Sequence, residues 1–343
     1  MELTWRFGIN NMIKRKQSYE NQIIFIDGMW SSAKSLLGPL ISGFDNVEKW
    51  KIDPIFEYIC VMHFLDEISL ENSSELSRLL GDKASFESFI SREVNLRWHE
   101  ETSIFKNPNA IRYIQNLFKK DDGSFNDQLI RKKPSLNIMT HNILQISYPL
   151  INAFQERLKL IVVEKHPVYF MDYWEKYLSR IGNDPKELTL TYGLNGEVPW
   201  FIKDELEYLE AKPLDRAIIS LRDLVDLKKE IISTKLLDDT NLLIIPFESF
   251  VTESDKWIKR ISNFLQKEFK IDFSKKLKIP RKHLEDAQSY SASSLKEEKN
   301  HFVNLYKKIE AKSSSDYFET LKKILDDYQG KDFGREMPWD GTF

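Results

Sequence analysis

Four short apolar runs constrain the fold of this 343-residue chain more than any other feature. Each run is rich in Ile, Val or Leu and lacks the polar alternation of a strand with one solvated face. Long segments with apolar residues at helical spacing separate the runs. Strands joined by helical connections form βαβ units, so the pattern predicts a doubly wound α/β fold with a mainly parallel sheet of four to five strands. The predicted strands are residues 22–27, 136–140, 158–164 and 241–247.

The helical segments organise the rest of the chain. Several begin at a proline, which suits the first turn of a helix because its fixed φ is helical and its missing N–H leaves no donor unpaired there. The stretch 42–134 reads as a mostly helical insertion beside the sheet, within a single domain that spans residues 1–343. The predicted helices are residues 54–70, 167–178, 213–237, 254–269, 294–309 and 316–328.

The residues after the first predicted strand match a phosphate-binding loop. The apolar run stops at Asp27-Gly28, and Lys34-Ser35 opens the next helical segment. Compared with the pattern GxxxxGK[ST], the segment from Gly28 to Ser35 departs only at Ala33, where glycine is usual. Backbone N–H groups converge at such a strand–loop–helix turn and bind an anion. The alternative is an ordinary strand–turn–helix unit with a coincidental Lys-Ser pair.

Composition excludes several classes of protein. A formal net charge of −3 gives no reason to expect a nucleic acid partner, and one cysteine rules out an internal disulfide framework. The N-terminus lacks the apolar region of a signal peptide, and no window approaches 18 consecutive apolar residues. The histidines show no metal-ligand spacing, so no metal is expected. We therefore expect a soluble, cytoplasmic protein without membrane insertion.

The segments after the second and third predicted strands resemble the sulfotransferases that depend on 3′-phosphoadenosine-5′-phosphosulfate (PAPS). Thr140-His141 follows the second strand, where that family has a Thr-His pair. Lys165 and Pro167 follow the third strand, where the family has an Arg-x-Pro turn. The order of these segments along the chain is that of the family.

The resemblance extends toward the C-terminus and covers about residues 23–282. Glu248-Ser249 follows the fourth predicted strand and resembles the family's Tyr-Glu-Asp segment, and Arg281-Lys282 stands roughly where the family has its Arg-Lys-Gly clamp. The Gly-x-x-Gly-Asp-Trp continuation of that clamp is absent.

The resemblance implies transfer of a sulfuryl group from PAPS to a hydroxyl or amine of a small-molecule or glycan acceptor, releasing 3′-phosphoadenosine-5′-phosphate (PAP). It makes His141 the base and Lys34 the cation that stabilises the departing phosphate. Lys165 and Tyr173 stand where the family has the Arg and Ser that hold the 3′-phosphate. Ser31 stands where the family's loop has a Lys or Arg. The implied nucleotide-binding residues are Gly28, Met29, Trp30, Ser31, Ser32, Ala33, Lys34, Ser35, Leu36, Lys165, Tyr173, Arg281 and Lys282.

Two other functions fit the same residues. Lys34-Ser35 fits the phosphate-loop pattern of ATP-binding proteins better than it fits the loop of the sulfotransferase family. This fit favours an ATP-dependent small-molecule kinase. The departures from the family pattern also fit a catalytically degenerate fold kept as a nucleotide-binding module. Trp30 either stacks on a base or substrate or is a buried core residue. The sequence does not determine the oligomeric state.

Overall fold

A parallel sheet of five strands forms the centre of the computed structural model, which describes residues 13–100, 102–107, 109–120, 123–193, 195–269 and 292–330. In chain order the strands are β1 (Ile23–Asp27), β2 (Lys51–Ile52), β3 (Leu136–Met139), β4 (Leu158–Glu164), β5 (Thr191–Tyr192), β6 (Val198–Pro199) and β7 (Leu242–Pro246). The parallel sheet has the order β2-β3-β1-β4-β7, and β5 and β6 form a separate antiparallel pair. The mainly parallel α/β sheet predicted from the sequence is confirmed.

Both faces of the sheet are covered by apolar side chains. In β1 the side chains of Ile23 and Phe25 enter one core, those of Ile24 and Ile26 enter the other, and all four are fully buried. Successive strand residues point to opposite faces, so a strand covered on both sides has no position for a polar residue. This explains why β1 shows no alternation in its sequence.

Helices cover the two faces unequally. In chain order they are α1 (Leu37–Ile41), α2 (Ile55–Phe64), α3 (Leu70–Phe89), α4 (Ala110–Asn116), α5 (Ser124–Lys132), α6 (Tyr148–Phe154), α7 (Met171–Leu178), α8 (Glu205–Glu210), α9 (Pro213–Ser233), α10 (Phe247–Thr252), α11 (Ser254–Leu265), α12 (Ala292–Lys312) and α13 (Ser315–Gly330). The face of Ile24 packs against α1, α10 and α11. The face of Ile23 packs against α2, α3, α6, α7 and α9, and α12 and α13 join the same core.

The direction in which the chain leaves each strand creates crevices on both sides of β1. After β1 the chain passes to α1, on one face of the sheet, whereas after β3 and β4 it passes to α6 and α7, on the other. The sheet order makes β3 and β4 the two neighbours of β1. Neighbouring strands whose connections leave toward opposite faces open a crevice beyond their carboxyl ends, which is where ligands bind in α/β folds.

Several predicted boundaries were wrong for local reasons. The helix predicted at 54–70 ends at Phe64 because Asp66 adopts a left-handed conformation (φ 59°), and Ser69 then caps α3 by accepting the N–H of Asn72. Gln266 is also left-handed and ends α11 at Leu265, short of the predicted 269. The stretch 42–134 contains the helices α2 to α5 and also the two-residue edge strand β2, which is too short to show a pattern in the sequence.

Among the residues that the structure describes, no helix is both long enough and apolar enough to cross a membrane.

Candidate functional site

The loop from Gly28 to Ser35 is held tightly against the end of β4. Gly28 has φ 148°, and a Cβ at this position would lie 2.4 Å from the carbonyl oxygen of Val163 and 2.7 Å from Ser32 Oγ. Only glycine fits such a close approach. Ser31 and Ala33 both have left-handed backbones, and Ser32 N donates to Met29 O over 3.2 Å. The loop is therefore a compact turn with a defined shape.

Lys34 lies beneath this loop. Its side chain is 5% exposed, and Nζ donates to Gly28 O over 2.8 Å and to Met29 O over 3.1 Å. Burial lowers the pKa of the ammonium to about 8, although the negative charges of Asp27 and Glu57 oppose this shift. A positive charge is thus built into the loop, with its hydrogen bonds directed to the loop's own carbonyl groups.

Asp27 connects the loop to the end of β3. This fully buried carboxyl accepts hydrogen bonds from Thr140 Oγ1 at 3.1 Å, Ile143 N at 3.1 Å and Leu144 N at 2.9 Å. Burial raises its pKa, and the charge of Lys34 opposes that rise. The Thr140-His141 pair is consequently fixed beside the loop from Gly28 to Ser35, because Thr140 bonds directly to the residue that precedes Gly28.

His141 meets a residue that sequence reasoning missed. Glu57, in the first turn of α2, accepts the backbone N–H of His141 at 3.0 Å, and the same oxygen lies 3.2 Å from His141 Nδ1. Burial raises the pKa of Glu57 to about 8. Burial and the charge of Lys34 lower the pKa of His141 to about 3, well below the value near 6.5 of an unperturbed histidine. The imidazole is therefore neutral at neutral pH.

The first of two cavities lies on the β4 side of the loop. It has a volume of about 300 Å³ and mostly apolar walls from α9 and α13, and Gly28, Met29 and Ser32 form part of its floor. Ser32 Oγ is buried, the residue being 1% exposed, and it has no hydrogen-bond partner among the described residues. Buried hydroxyls without a partner are rare in native proteins. This one lines a cavity that can hold a ligand.

Three lysines also line the first cavity. Lys165 is buried at the end of β4, with Nζ 5.2 Å from the centroid of Phe247 and 5.8 Å from that of Tyr169. Lys228 and Lys229 of α9 also line the cavity, and they pair with Glu164 at 2.7 Å and Asp327 at 2.6 Å. Sequence reasoning missed these two residues because a Lys-Lys pair in a long amphipathic helix reads as a solvated face.

The second cavity lies on the β3 side of the loop and has a volume of about 210 Å³. His141, Asn142 and Glu57 line it. Its aromatic walls include Trp30, whose ring centroid lies 4.9 Å from that of Tyr177. Trp30 is thus both a core residue and part of a cavity wall.

The remaining predicted residues lie away from the two cavities. Tyr173 is 46% exposed and stacks on Tyr177, with centroids 5.5 Å apart and an interplanar angle of 17°. Ser31 and Ser35 are exposed, whereas Ala33 and Leu36 are partly buried and pack against the core around α1. Arg281 and Lys282 lie outside the described residues. Within the ranges described, no three His, Cys, Asp or Glu side chains form a group that could hold a metal ion.

Comparison with known proteins gave matches among solved structures. The chain is similar to the sulfotransferase domain of the Synechococcus PCC 7002 olefin synthase (13% identity, 92% of this chain and 98% of that one, TM-score 0.43). It is also similar to the sulfotransferase domain from the curacin biosynthetic pathway (12% identity, 90% and 98%, TM-score 0.44) and to sulfotransferase STF9 from Mycobacterium avium (10% identity, 84% and 77%, TM-score 0.35). No family model and no curated protein matches the sequence.

Proposed function

We propose that this protein is a sulfotransferase-like enzyme that transfers a sulfuryl group from PAPS to a hydroxyl or amine acceptor. One observation carries the proposal. The loop after the central strand β1 lies between two cavities, with Lys165, just after the neighbouring strand β4, in one and His141, after the other neighbour β3, in the second. A donor and an acceptor bound in these cavities would lie on either side of the segment from Gly28 to Trp30, which contributes to both linings.

The first cavity suits the nucleotide half of the donor. Its apolar walls accommodate a base, and Lys165 provides positive charge for a phosphate. Ser32 supplies a hydroxyl that has no hydrogen-bond partner within the described part of the chain. Lys228 and Lys229 supply further positive charge, each balanced by a carboxylate. Tyr173 is half exposed and does not line this cavity. Lys228 does line it and is the better candidate for a ligand of the 3′-phosphate.

The second cavity suits the acceptor. His141 is neutral there and can take the proton of an acceptor hydroxyl. In the transfer, the acceptor oxygen forms a bond to sulfur while the bond between sulfur and the phosphate oxygen breaks, and PAP leaves as the second product. The neutral imidazole becomes an imidazolium and returns the proton to solvent afterwards.

Lys34 supplies positive charge next to the leaving phosphate. Its ammonium bonds to Gly28 O and Met29 O, so contact with a phosphate oxygen would require it to exchange one of these carbonyls for the ligand. The neighbouring carboxyls Asp27 and Glu57 favour the charged form of this lysine. Charge that is already in position when the phosphate develops negative charge is worth most in the transition state.

Calorimetry with PAP, ADP and ATP with Mg²⁺ tests the donor assignment. We expect PAP to bind about 10- to 100-fold more tightly than ADP, because a charged hydrogen bond to the 3′-phosphate is worth roughly 1.5–3 kcal/mol. Lys165→Ala should remove that preference, whereas the exposed Lys176→Ala should keep it. Equal affinities for PAP and ADP would contradict the proposal. Tighter binding of ATP with Mg²⁺, together with phosphoryl transfer, would favour the kinase instead.

A further inference from the structure

The Glu57–His141 contact has a chemical consequence beyond holding the turn after β3. The carboxyl comes from α2 and the imidazole from the loop after β3, 84 residues apart in sequence. Both side chains are largely buried, with 18% of Glu57 and 31% of His141 exposed, and both line the second cavity. A contact that closes over such a separation is a specific product of the fold.

The hydrogen bonds determine which ring nitrogen carries the proton. Glu57 Oε1 already accepts the backbone N–H of His141, so this oxygen presents lone pairs toward the residue. The ring nitrogen that faces the same oxygen, Nδ1, is then best protonated, because an N–H can donate to the oxygen whereas a bare nitrogen would repel it. This holds whether the carboxyl is ionised or carries a proton on its other oxygen.

We propose that Glu57 is a positioning residue that keeps His141 in the Nδ1–H tautomer, leaving the Nε2 lone pair to take the acceptor proton. Among the described residues Nε2 has no hydrogen-bond partner, so nothing in them competes for that lone pair. The inference rests on the proposed function, because it assigns the base its reactive nitrogen. Loss of the correct tautomer leaves a catalytic histidine in place but unable to accept a proton from the substrate.

The tautomer can be measured without any turnover. With ¹⁵N-labelled histidine in the full chain, protonated and unprotonated ring nitrogens of a neutral imidazole give clearly different shifts, and His141→Gln identifies which of the six histidines is His141. At pH 7 we expect Nδ1–H in the wild type and in the exposed control Glu71→Gln. In Glu57→Ala we expect the Nε2–H form, which free histidine prefers. An Nε2–H tautomer in the wild type, or an unchanged Nδ1–H tautomer in Glu57→Ala, would overturn the proposal.

Kinetics of the same variants adds a second readout. Glu57→Ala should lower kcat about 10²-fold and change PAP affinity far less, since the residue lines the acceptor cavity and Asp27, the stronger of the two carboxyls that favour charged Lys34, stays in place. Glu57→Gln should recover most of this loss, because the backbone N–H of His141 directs the amide oxygen to the position of Oε1. If Glu57→Ala and Glu57→Gln lost kcat equally while His141 kept the Nδ1–H tautomer, the loss would come from the missing charge, which would contradict a positioning role for Glu57.

Failure of this inference differs from failure of the proposed function. A wild type that transfers a sulfuryl group but has His141 as Nε2–H contradicts the role of Glu57 alone. A wild type that binds no PAP and transfers nothing, yet holds the Nδ1–H tautomer, contradicts the proposed function and removes the base role of His141 with it.

Discussion

Lys34, Glu57 and His141 illustrate how burial displaces ionisable groups toward their neutral forms. The pKa of the lysine falls to about 8, that of the glutamic acid rises to about 8, and that of the histidine falls to about 3. In each case desolvation is the largest cause, because water stabilises the charged form better than the protein interior does. Groups with displaced pKa values that line a cavity are candidates for proton transfer.

Replacing Lys34 tests the charge beneath the loop. Lys34→Ala should lower sulfuryl-transfer turnover at least about 10²-fold, the usual scale for removing a group that stabilises developing negative charge, and should weaken PAP binding. Lys34→Arg should recover part of this, since the guanidinium keeps the charge but is bulkier than the buried ammonium that bonds to Gly28 O and Met29 O. Lys176→Ala serves as the exposed control. Unchanged turnover in Lys34→Ala would remove Lys34 from the mechanism.

The lowered pKa of His141 predicts a specific dependence of stability on pH. Between pH 3 and 6.5 the unfolded chain binds a proton at this histidine and the folded chain does not, so the free energy of unfolding rises with pH over this window. His141→Gln lacks this contribution. The stability difference between the two proteins should therefore change by up to about 1.4 kcal/mol per pH unit, in favour of the wild type as pH rises.

Urea unfolding of both proteins between pH 4 and 7 measures this difference, with the exposed His99→Gln as a control for the substitution itself. A difference that stays constant across these pH values would show that the folded chain protonates His141 normally. The lowered pKa of His141 also predicts that turnover does not fall as the pH drops through 6.5, because His141 stays neutral there.

At the scale of elements, the loop from Gly28 to Ser35 depends on the strand beside it. The carbonyl of Val163 in β4 occupies the space that any side chain at position 28 would need. Parallel pairing of β1 with β4, in register from Ile23 with Leu158 to Asp27 with Val162, brings that carbonyl to the start of the loop. The loop thus has the shape it does because two strands that are distant in sequence are paired.

Adding a methyl group at position 28 tests this dependence. Gly28→Ala should lower the free energy of unfolding by at least about 2 kcal/mol, since the Cβ would lie 2.4 Å from a backbone oxygen and the backbone has a positive φ. Gly123→Ala is the matched control, because a Cβ there meets nothing within 4 Å and φ is −55°. Its stability should change by less than about 1 kcal/mol. Similar unfolding midpoints for both variants in urea would contradict the steric argument.

At the scale of the whole molecule, the C-terminal helices complete the first cavity. Ile324, Asp327 and Tyr328 of α13 line it, and Tyr328 OH donates to the buried Glu248 Oε2 over 2.9 Å. Glu248 also accepts the backbone N–H of His166, beside Lys165, over 2.7 Å. The helices near the end of the chain therefore help to fix the residues that follow β4.

Weakening the packing of α13 should affect both stability and nucleotide binding. Leu321 is fully buried in the core shared with α9, and Leu321→Ala should cost roughly 2–5 kcal/mol of unfolding free energy. We also expect PAP affinity to fall, since α13 forms a cavity wall. Leu206→Ala, at a position that is 71% exposed, should change neither. Calorimetry that finds unchanged PAP affinity in folded Leu321→Ala would separate α13 from the site.

The local pattern of the sequence was sufficient for the main elements and for the loop. Strands buried on both faces require continuous apolar residues, and the tight turn after β1 requires glycine at position 28, so both features are visible within a few residues of the chain. The order of strands and helices then predicted the class of fold.

Only the tertiary structure decided which further residues join the site and which predicted residues lie outside it. Glu57 contacts His141, which is 84 residues away in sequence. Lys228 lines the first cavity from α9, a helix that begins 46 residues after Pro167. No local sequence pattern connects these positions. Tyr173, which the resemblance alone suggested as a 3′-phosphate ligand, faces outward because the buried stripe of α7 consists of Met171, Trp174 and Leu178. Secondary structure responds to neighbours in sequence, whereas a site depends on which side chains packing brings together.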